Sequence, residues 1–360
     1  MIEDLELDLA DWMDRLDEAI GLSDTPLRRL ASSIAELSDI LIGKKKMIRY
    51  FEHEELLKAY GAFFFPQTFS RTFFVVREIL ERTDLAAGRD SLRVLDVGSG
   101  IGASLIAASR AIESRRVACT VQGIETVRGA AGTLRTLIEK HGLSGRAGVR
   151  VGDFTRPGRE EYDLIVACAS LSESGGAAAP MVRRLHAMLG SPGCLVIIEP
   201  SWRRGFDLVR EASAALKQPP ALPCLLSPAC GLENRKDWCF ASLDLSLPEL
   251  TMRVNQIVRH NLNYVKFTYG VFLKGAALLR GGVRVISPLK RVRGKKLLRV
   301  CRGGKVFWLE RLNKNSSEAN RQLDDAECCD IVEFDCRQIN ATTLRLEKDH
   351  GFRRISETRA

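Results

Sequence analysis

LRVLDVGSGIGASLIAASRAI, residues Leu92–Ile112, decides the fold. LRVLDV is a short apolar run of strand composition. Three alternating glycines follow, Gly98, Gly100 and Gly102, and then the 3.6-residue period of a helix. Glycines let the chain turn tightly and let a ligand approach the strand end and helix N-terminus. The spacing is G-x-G-x-G, not the G-x-G-x-x-G of dinucleotide sites. Asp96 stands inside the end of the strand, next to a loop residue, Ser99. A carboxylate there suits a cationic ligand better than a pyrophosphate.

Strand and helix alternate downstream. VACTVQGIE, GVRVGDF, YDLIVACAS and GCLVIIEP read as the second to fifth strands, with a helix expected over Ala179–Leu189. Almost uniformly apolar strands separated by helices predict an α/β fold with a parallel, doubly wound sheet. A helix is expected over Phe206–Leu216, another over Pro248–Asn261, and a returning strand over Val265–Lys274. Glu125 ends the second strand, where a carboxylate can accept from ribose hydroxyls. Asp153 ends the third, where it can accept from an adenine amine. Three acids at three consecutive strand ends favour S-adenosylmethionine, with its ammonium and sulfonium, over a dinucleotide. This order resembles the class I S-adenosylmethionine-dependent methyltransferases, whose Rossmann-like fold is expected over Leu92–Ser201.

Upstream, residues 1–90 read as a helical region: Ile2–Ile20 and Pro26–Leu41 show helical spacing, and an aromatic run at Tyr60–Phe74 leads into a helix over Val75–Glu81. No apolar run approaches the ~18–20 residues of a membrane span, so no membrane partner is expected. The acidic N-terminus lacks the basic region of a secretory signal, and a cytoplasmic protein is expected. Ten cysteines there are not disulfides. Cys119, Cys168 and Cys194 sit in apolar strands and read as buried thiols.

Cys224, Cys230 and Cys239 lie in a Pro- and Cys-rich insertion, residues 218–245, between the fifth strand and the returning one. Five and eight residues separate them, which fits neither half of a paired zinc motif. Thiolates suit zinc or iron–sulfur. Cys301 is the best fourth ligand, and four thiolates favour a 4Fe-4S cluster, with zinc as the alternative. Such a site would tie the insertion to the segment around Cys301 and contribute to folding.

Between Val283 and Val306 stand nine Lys and Arg and no Asp or Glu, within a net charge of +9. Residues 283–312 alternate apolar and basic and predict a small antiparallel β-unit. A one-sided basic stretch favours a polyanion. Lys290, Arg291, Arg293, Lys295, Lys296 and Arg299 are the expected RNA contacts, positioning through phosphates without reading sequence. Residues 313–360 read as a polar, less ordered tail with one strand at Ile331–Phe334.

VLDVGSGIGAS, YDLIVACASLSE, LVIIEPS, PCLLSPAC–DWCF and VKFTYGVFLKG together resemble the Rsm-type methyltransferase-like family of bacteria and mitochondria, over about Pro66–Trp308. The resemblance implies association with rRNA and the small ribosomal subunit. By position it puts a 4Fe-4S cluster on Cys224, Cys230, Cys239 and Cys301. Leu225 and Gly231 stand where that family often carries proline. A base-methylation motif is not evident after the fourth strand, and Cys168 lacks the Pro-Cys setting of a cytosine-methylating nucleophile. An assembly factor and an rRNA methyltransferase are both expected readings; a small-molecule methyltransferase with a structural zinc is the alternative.

Overall fold

A computed structural model describes residues 2–154, 160–174, 177–233, 236–244, 246–259, 264–279 and 281–355. The N-terminal region runs through α1 (Ile2–Ile20), α2 (Leu27–Leu41), a 3-10 turn (Tyr50–Glu52), α3 (Glu54–Ala59), a π-helical turn (Tyr60–Phe64) and α4 (Phe65–Arg82). The last helix begins ten residues before its expected start. Phe65, Phe69 and Phe73 explain this: a four-residue spacing aligns their rings on one face, with centroids 6.3 and 6.2 Å apart, all fully buried.

The central unit follows as β1 (Ser91–Val97), α5 (Ala103–Glu113), β2 (Ala118–Glu125), α6 (Arg128–Lys140), β3 (Ala147–Val151), β4 (Tyr162–Cys168), α7 (Ser170–Glu173), α8 (Ala178–Ala187), β5 (Leu189–Pro200), α9 (Arg203–Leu216), β6 (Ala241–Leu243), α10 (Glu249–Val258) and β7 (Val265–Lys274). The strands order as β3-β2-β1-β4-β5-β7-β6. β1 to β5 are parallel, while β7 returns antiparallel along β5 and β6 antiparallel along β7. Strand order reverses between β1 and β4, the switch point where open α/β sheets leave a crevice. The helix expected over Pro248–Asn261 stops at Val258; residues 260 and 261 lie outside the described ones. Among the described residues no helix is long and apolar enough to cross a membrane.

The largest departure from expectation is at the C-terminus. β8 (Val283–Val285), β9 (Lys290–Val292), β10 (Lys295–Arg302) and β11 (Lys305–Leu312) do form a small antiparallel unit. It does not end at residue 312. β12 (Ile331–Phe334), β13 (Arg337–Asn340), β14 (Thr343–Leu346) and β15 (Phe352–Arg354) complete an eight-stranded sheet. The reading of 313–355 as a less ordered tail is therefore corrected. Leu323, Leu344, Leu346 and Phe352 fill the same core as Val285, Leu298 and Leu309. β12 stands where the one strand was expected, but β13 to β15 are three or four residues long, too short for alternation to stand out against polar neighbours.

One buried cluster joins the three regions. Arg284 of β8 donates to both Glu78 of α4 and Tyr269 of β7, and the Tyr269 hydroxyl donates to Glu78 Oε2 at 2.6 Å. All three are at most 6% exposed. Removing one member of such a group strands a charge in low dielectric. Arg284→Leu and Glu78→Leu should each cost about 3–5 kcal/mol, whereas the double replacement should cost clearly less than their sum, as read by urea unfolding.

Candidate functional site

The crevice at the carboxyl ends of β1, β2 and β4 is a pocket of about 1070 Å3. Gly98, Gly100, Glu125 and Asp153, four of the residues singled out in the sequence, line it together. Asp96, Ser99 and Gly102 do not line it; they build the loop. Ser104 Oγ donates to Asp96 Oδ2 at 2.8 Å, and Ser99 Oγ donates to the Asp96 carbonyl at 3.1 Å. Gly102 sits at φ +100°, and a Cβ there would fall 2.4 Å from Leu134 Cδ1, so only glycine closes helix α5 against α6. Glu125 spans both tasks. Its Oε2 accepts from the Gly100 backbone N–H at 2.8 Å and its Oε1 from that of Val127 at 2.7 Å, which fixes the loop at the pocket wall.

The other wall comes largely from the helices that precede the sheet. Tyr50, Phe64, Thr68 and Arg71 of the N-terminal region line it together with Cys168 at the end of β4, Ser170 and Glu173 just after it, and Trp202 and Lys266. Two signals mark this end. Tyr60–Phe64 is π-helical, a feature frequent at functional sites. Ala169 takes a left-handed φ of 58°, a strained conformation for a residue with a Cβ. Tyr50 donates to Glu173 Oε2 at 3.0 Å, and the Ser172 N–H donates to Glu199 Oε1 at 3.3 Å. Ser170 Oγ and Glu199 Oε2 are buried without a partner.

Burial dominates the electrostatics here. It pushes the Asp96, Glu173 and Glu199 carboxyls each up to about 7, against hydrogen bonds that pull them down. Carboxyls in that range can exchange protons at neutral pH. Burial also pushes the Cys168 thiol up to about 11, which leaves little thiolate and argues against a nucleophilic role.

The cysteine segment meets the second sheet at a separate, smaller cavity of about 50 Å3. Cys224, Cys230, Cys239 and Cys301 all line it, together with Cys329, which sequence reasoning left without a role. Phe206, Ile286 and Val306 add apolar wall, and Arg210 and Arg284 also line it. The segment docks on the β10–β11 turn. Gly231 N–H donates to the Gly304 carbonyl at 2.7 Å, a bond proline at 231 would forfeit. Gly304 is at φ +76°, and a Cβ there would lie 2.1 Å from the Ala229 carbonyl oxygen. Burial first, and neighbouring thiols second, push Cys224 up to about 12 and raise Cys239 and Cys301. Such thiols ionise only against a compensating cation. Among the described residues no group of three or more His, Cys, Asp or Glu is arranged to hold a metal ion.

The basic stretch is less bare than its sequence. Lys295 pairs with Glu310 at 2.8 Å, Lys296 with Asp324 at 2.6 Å and Arg299 with Asp237 at 2.6 Å. Arg291 donates to the Asp324 carbonyl at 3.2 Å. Lys290 and Arg299 both lie against Trp308, 5.4 and 5.7 Å from its ring centroid. Lys290 and Arg293 form no ion pair among the described residues.

A glycine loop at the β1/β4 switch point, under an antiparallel β7, defines a protein with the class I methyltransferase fold. The family model described as mitochondrial small ribosomal subunit Rsm22 matches residues 55–330, and the chain belongs to that family. No curated protein sequence matches the chain. Its fold is similar to several solved structures. A ribosomal protein L11 methylase from Lactobacillus delbrueckii subsp. bulgaricus is 17% identical over 42% of this chain and 70% of that one, with a TM-score of 0.33. Magnesium protoporphyrin IX methyltransferase from Synechocystis PCC 6803 is 15% identical over 43% and 71%, with a TM-score of 0.34. An O-methyltransferase from Thermotoga maritima is 18% identical over 42% and 49%, with a TM-score of 0.32, so the chain spans about half of it.

The raised carboxyls carry a pH signature. Glu199 holds its proton in the folded protein up to about 7 but releases it near 4.5 when unfolded. Its contribution is full below 4.5 and lost as pH rises through 7. Glu199→Gln should therefore gain stability relative to the parent protein at pH 8 and little at pH 5, measured as thermal midpoints at the two values.

Proposed function

We propose that this chain is an S-adenosylmethionine-binding, methyltransferase-like protein of the small ribosomal subunit that carries a 4Fe-4S cluster and contacts rRNA through its second sheet. It acts there as an assembly factor or an rRNA methyltransferase. The observation that carries the reading is the convergence of the three cysteines of the insertion with Cys301, far along the chain, on one cavity between the methyltransferase-like sheet and the basic one. Family membership supports the small-subunit assignment.

In the pocket, Glu125 and Asp153 would hold the ribose and adenine, while Asp96, buried behind the loop, would favour the ligand's cationic end without contacting it. The bound cofactor would supply an activated methyl group on a sulfonium, so transfer needs chiefly alignment. Glu173 lines the pocket, where it could take an acceptor's proton, and Glu199 lies behind that wall, accepting from the Ser172 N–H. In the cavity, Cys224, Cys230, Cys239 and Cys301 would ligate the cluster. All four line one cavity, and four thiolates suit an iron–sulfur cluster, with zinc as the alternative. On the second sheet, Lys290, Arg291, Arg293, Lys295, Lys296 and Arg299 would meet phosphates. The three ion pairs are part-buried, and phosphate contacts would have to replace them.

Protein purified without oxygen should be brown, with about four irons and four acid-labile sulfides per chain. Cys224→Ser and Cys301→Ser should lose most of that iron. Gly304→Ala should lose it too, because it leaves every thiol in place but pushes the docked loop away. A colourless protein with one zinc would overturn the cluster assignment. Failure to co-sediment with immature small subunits at low salt would overturn the ribosomal one.

A further inference from the structure

Arg210 carries a polar group that its surroundings leave unused. It stands on α9 with Phe206 and Val209, spaced so that all three share one face, and all three line the cysteine cavity. The outer end of its guanidinium is occupied: Nη2 donates to Glu233 Oε1 at 3.3 Å, on the exposed side. The inner end is not. Its Nε is buried and has no partner among the described residues. A buried N–H in that state is costly until an acceptor completes it.

The rest of the lining defines the chemistry of that acceptor. Of the lining side chains, those charged at neutral pH are Arg210 and Arg284, with no carboxylate among them. Arg284 is already completed by Glu78 and Tyr269. Cys224, Cys230, Cys239, Cys301 and Cys329 supply the thiols. A wall of sulfur and guanidinium without an acid suits an anionic occupant held through sulfur. Four thiolates outweigh the charge of an iron–sulfur core, so the whole is an anion, and its sulfurs accept hydrogen bonds.

We propose that Arg210 is a positioning residue of this cavity: its Nε–H donates to a sulfur of the thiolate-bound cluster, and its charge holds the reduction potential up. The inference rests on the cluster reading of the four cysteines. A donor and a cation beside an anion favour the more negative state, which is the reduced one. Glu233 opposes this from outside, because it neutralises part of the same guanidinium.

The test is an anaerobic redox titration of the full chain with dithionite, which delivers one electron per cluster with no change of ligands. Electron paramagnetic resonance follows the reduced form, and iron and acid-labile sulfide are assayed on the same samples. Arg210→Gln should keep its iron and lower the reduction equilibrium constant about tenfold, which is about 59 mV for one electron. Arg210→Lys, which keeps the charge and moves the donor, should fall between. Glu233→Gln alters a half-exposed side chain and should shift the potential upward. Arg204→Gln removes a guanidinium of the same helix that pairs with Glu211 outside the cavity, and should leave the potential where it is. An Arg210→Gln potential equal to the parent's would overturn the proposal, as would an equal fall in Arg204→Gln. If Arg210→Gln loses its iron, Glu233→Gln decides, and the absence of a rise there overturns the proposal. A parent protein without iron and sulfide would sink the cluster reading itself, and this assignment with it.

Discussion

Glu78, Tyr269 and Arg284 form the constraint on which the rest of the structure turns. Each comes from a different part of the chain: the N-terminal helices, the central sheet and the second sheet. A buried guanidinium cannot slide along an apolar surface as a leucine can; it is held where its acceptors are. The cluster therefore fixes the second sheet against β7 in one register. Tyr269 and Arg284 also line the cysteine cavity, so the same contact shapes one of its walls. Seven residues before Glu78, and so on nearly the same face of α4, Arg71 lines the other cavity. One helix thus lines one cavity with Arg71 and, through Glu78, holds Arg284 and Tyr269 in the wall of the other.

The fold was legible where burial is two-sided. β1 to β5 are nearly all apolar, and the glycine loop marks where the first of them ends. Sequence placed Val265–Lys274 correctly for the same reason. It failed where a strand's partner is remote. β6 is three residues long and β13 to β15 no more than four, and each is stabilised by cross-strand neighbours absent from its local sequence.

The sites divide in a similar way. Gly98, Gly100, Glu125 and Asp153 follow the strand ends and so could be found by counting. The facing wall comes from helices that precede the sheet, and nothing in the aromatic run at 60–74 says which side chains point inward. Arg71 was missed because a lone arginine in a helix usually reaches solvent. The basic stretch erred in the other direction: its partners Asp237, Glu310 and Asp324 lie outside the segment that looked unopposed. Charge counted along a chain overstates charge presented by a surface.

The docking of the cysteine segment on Gly304 has a consequence for the order in which the protein is made. Chain growth delivers Cys224, Cys230 and Cys239 long before Cys301, and the β10–β11 turn emerges later still. Until Gly304 is available the loop lacks its backbone partner, and its three thiols stay accessible to solvent and to any metal in the surroundings. The central sheet, by contrast, has all its strands once Lys274 has appeared. A nascent chain can thus hold a finished ligand crevice and an unfinished thiol cavity, and whatever fills that cavity must arrive after the sheet is in place.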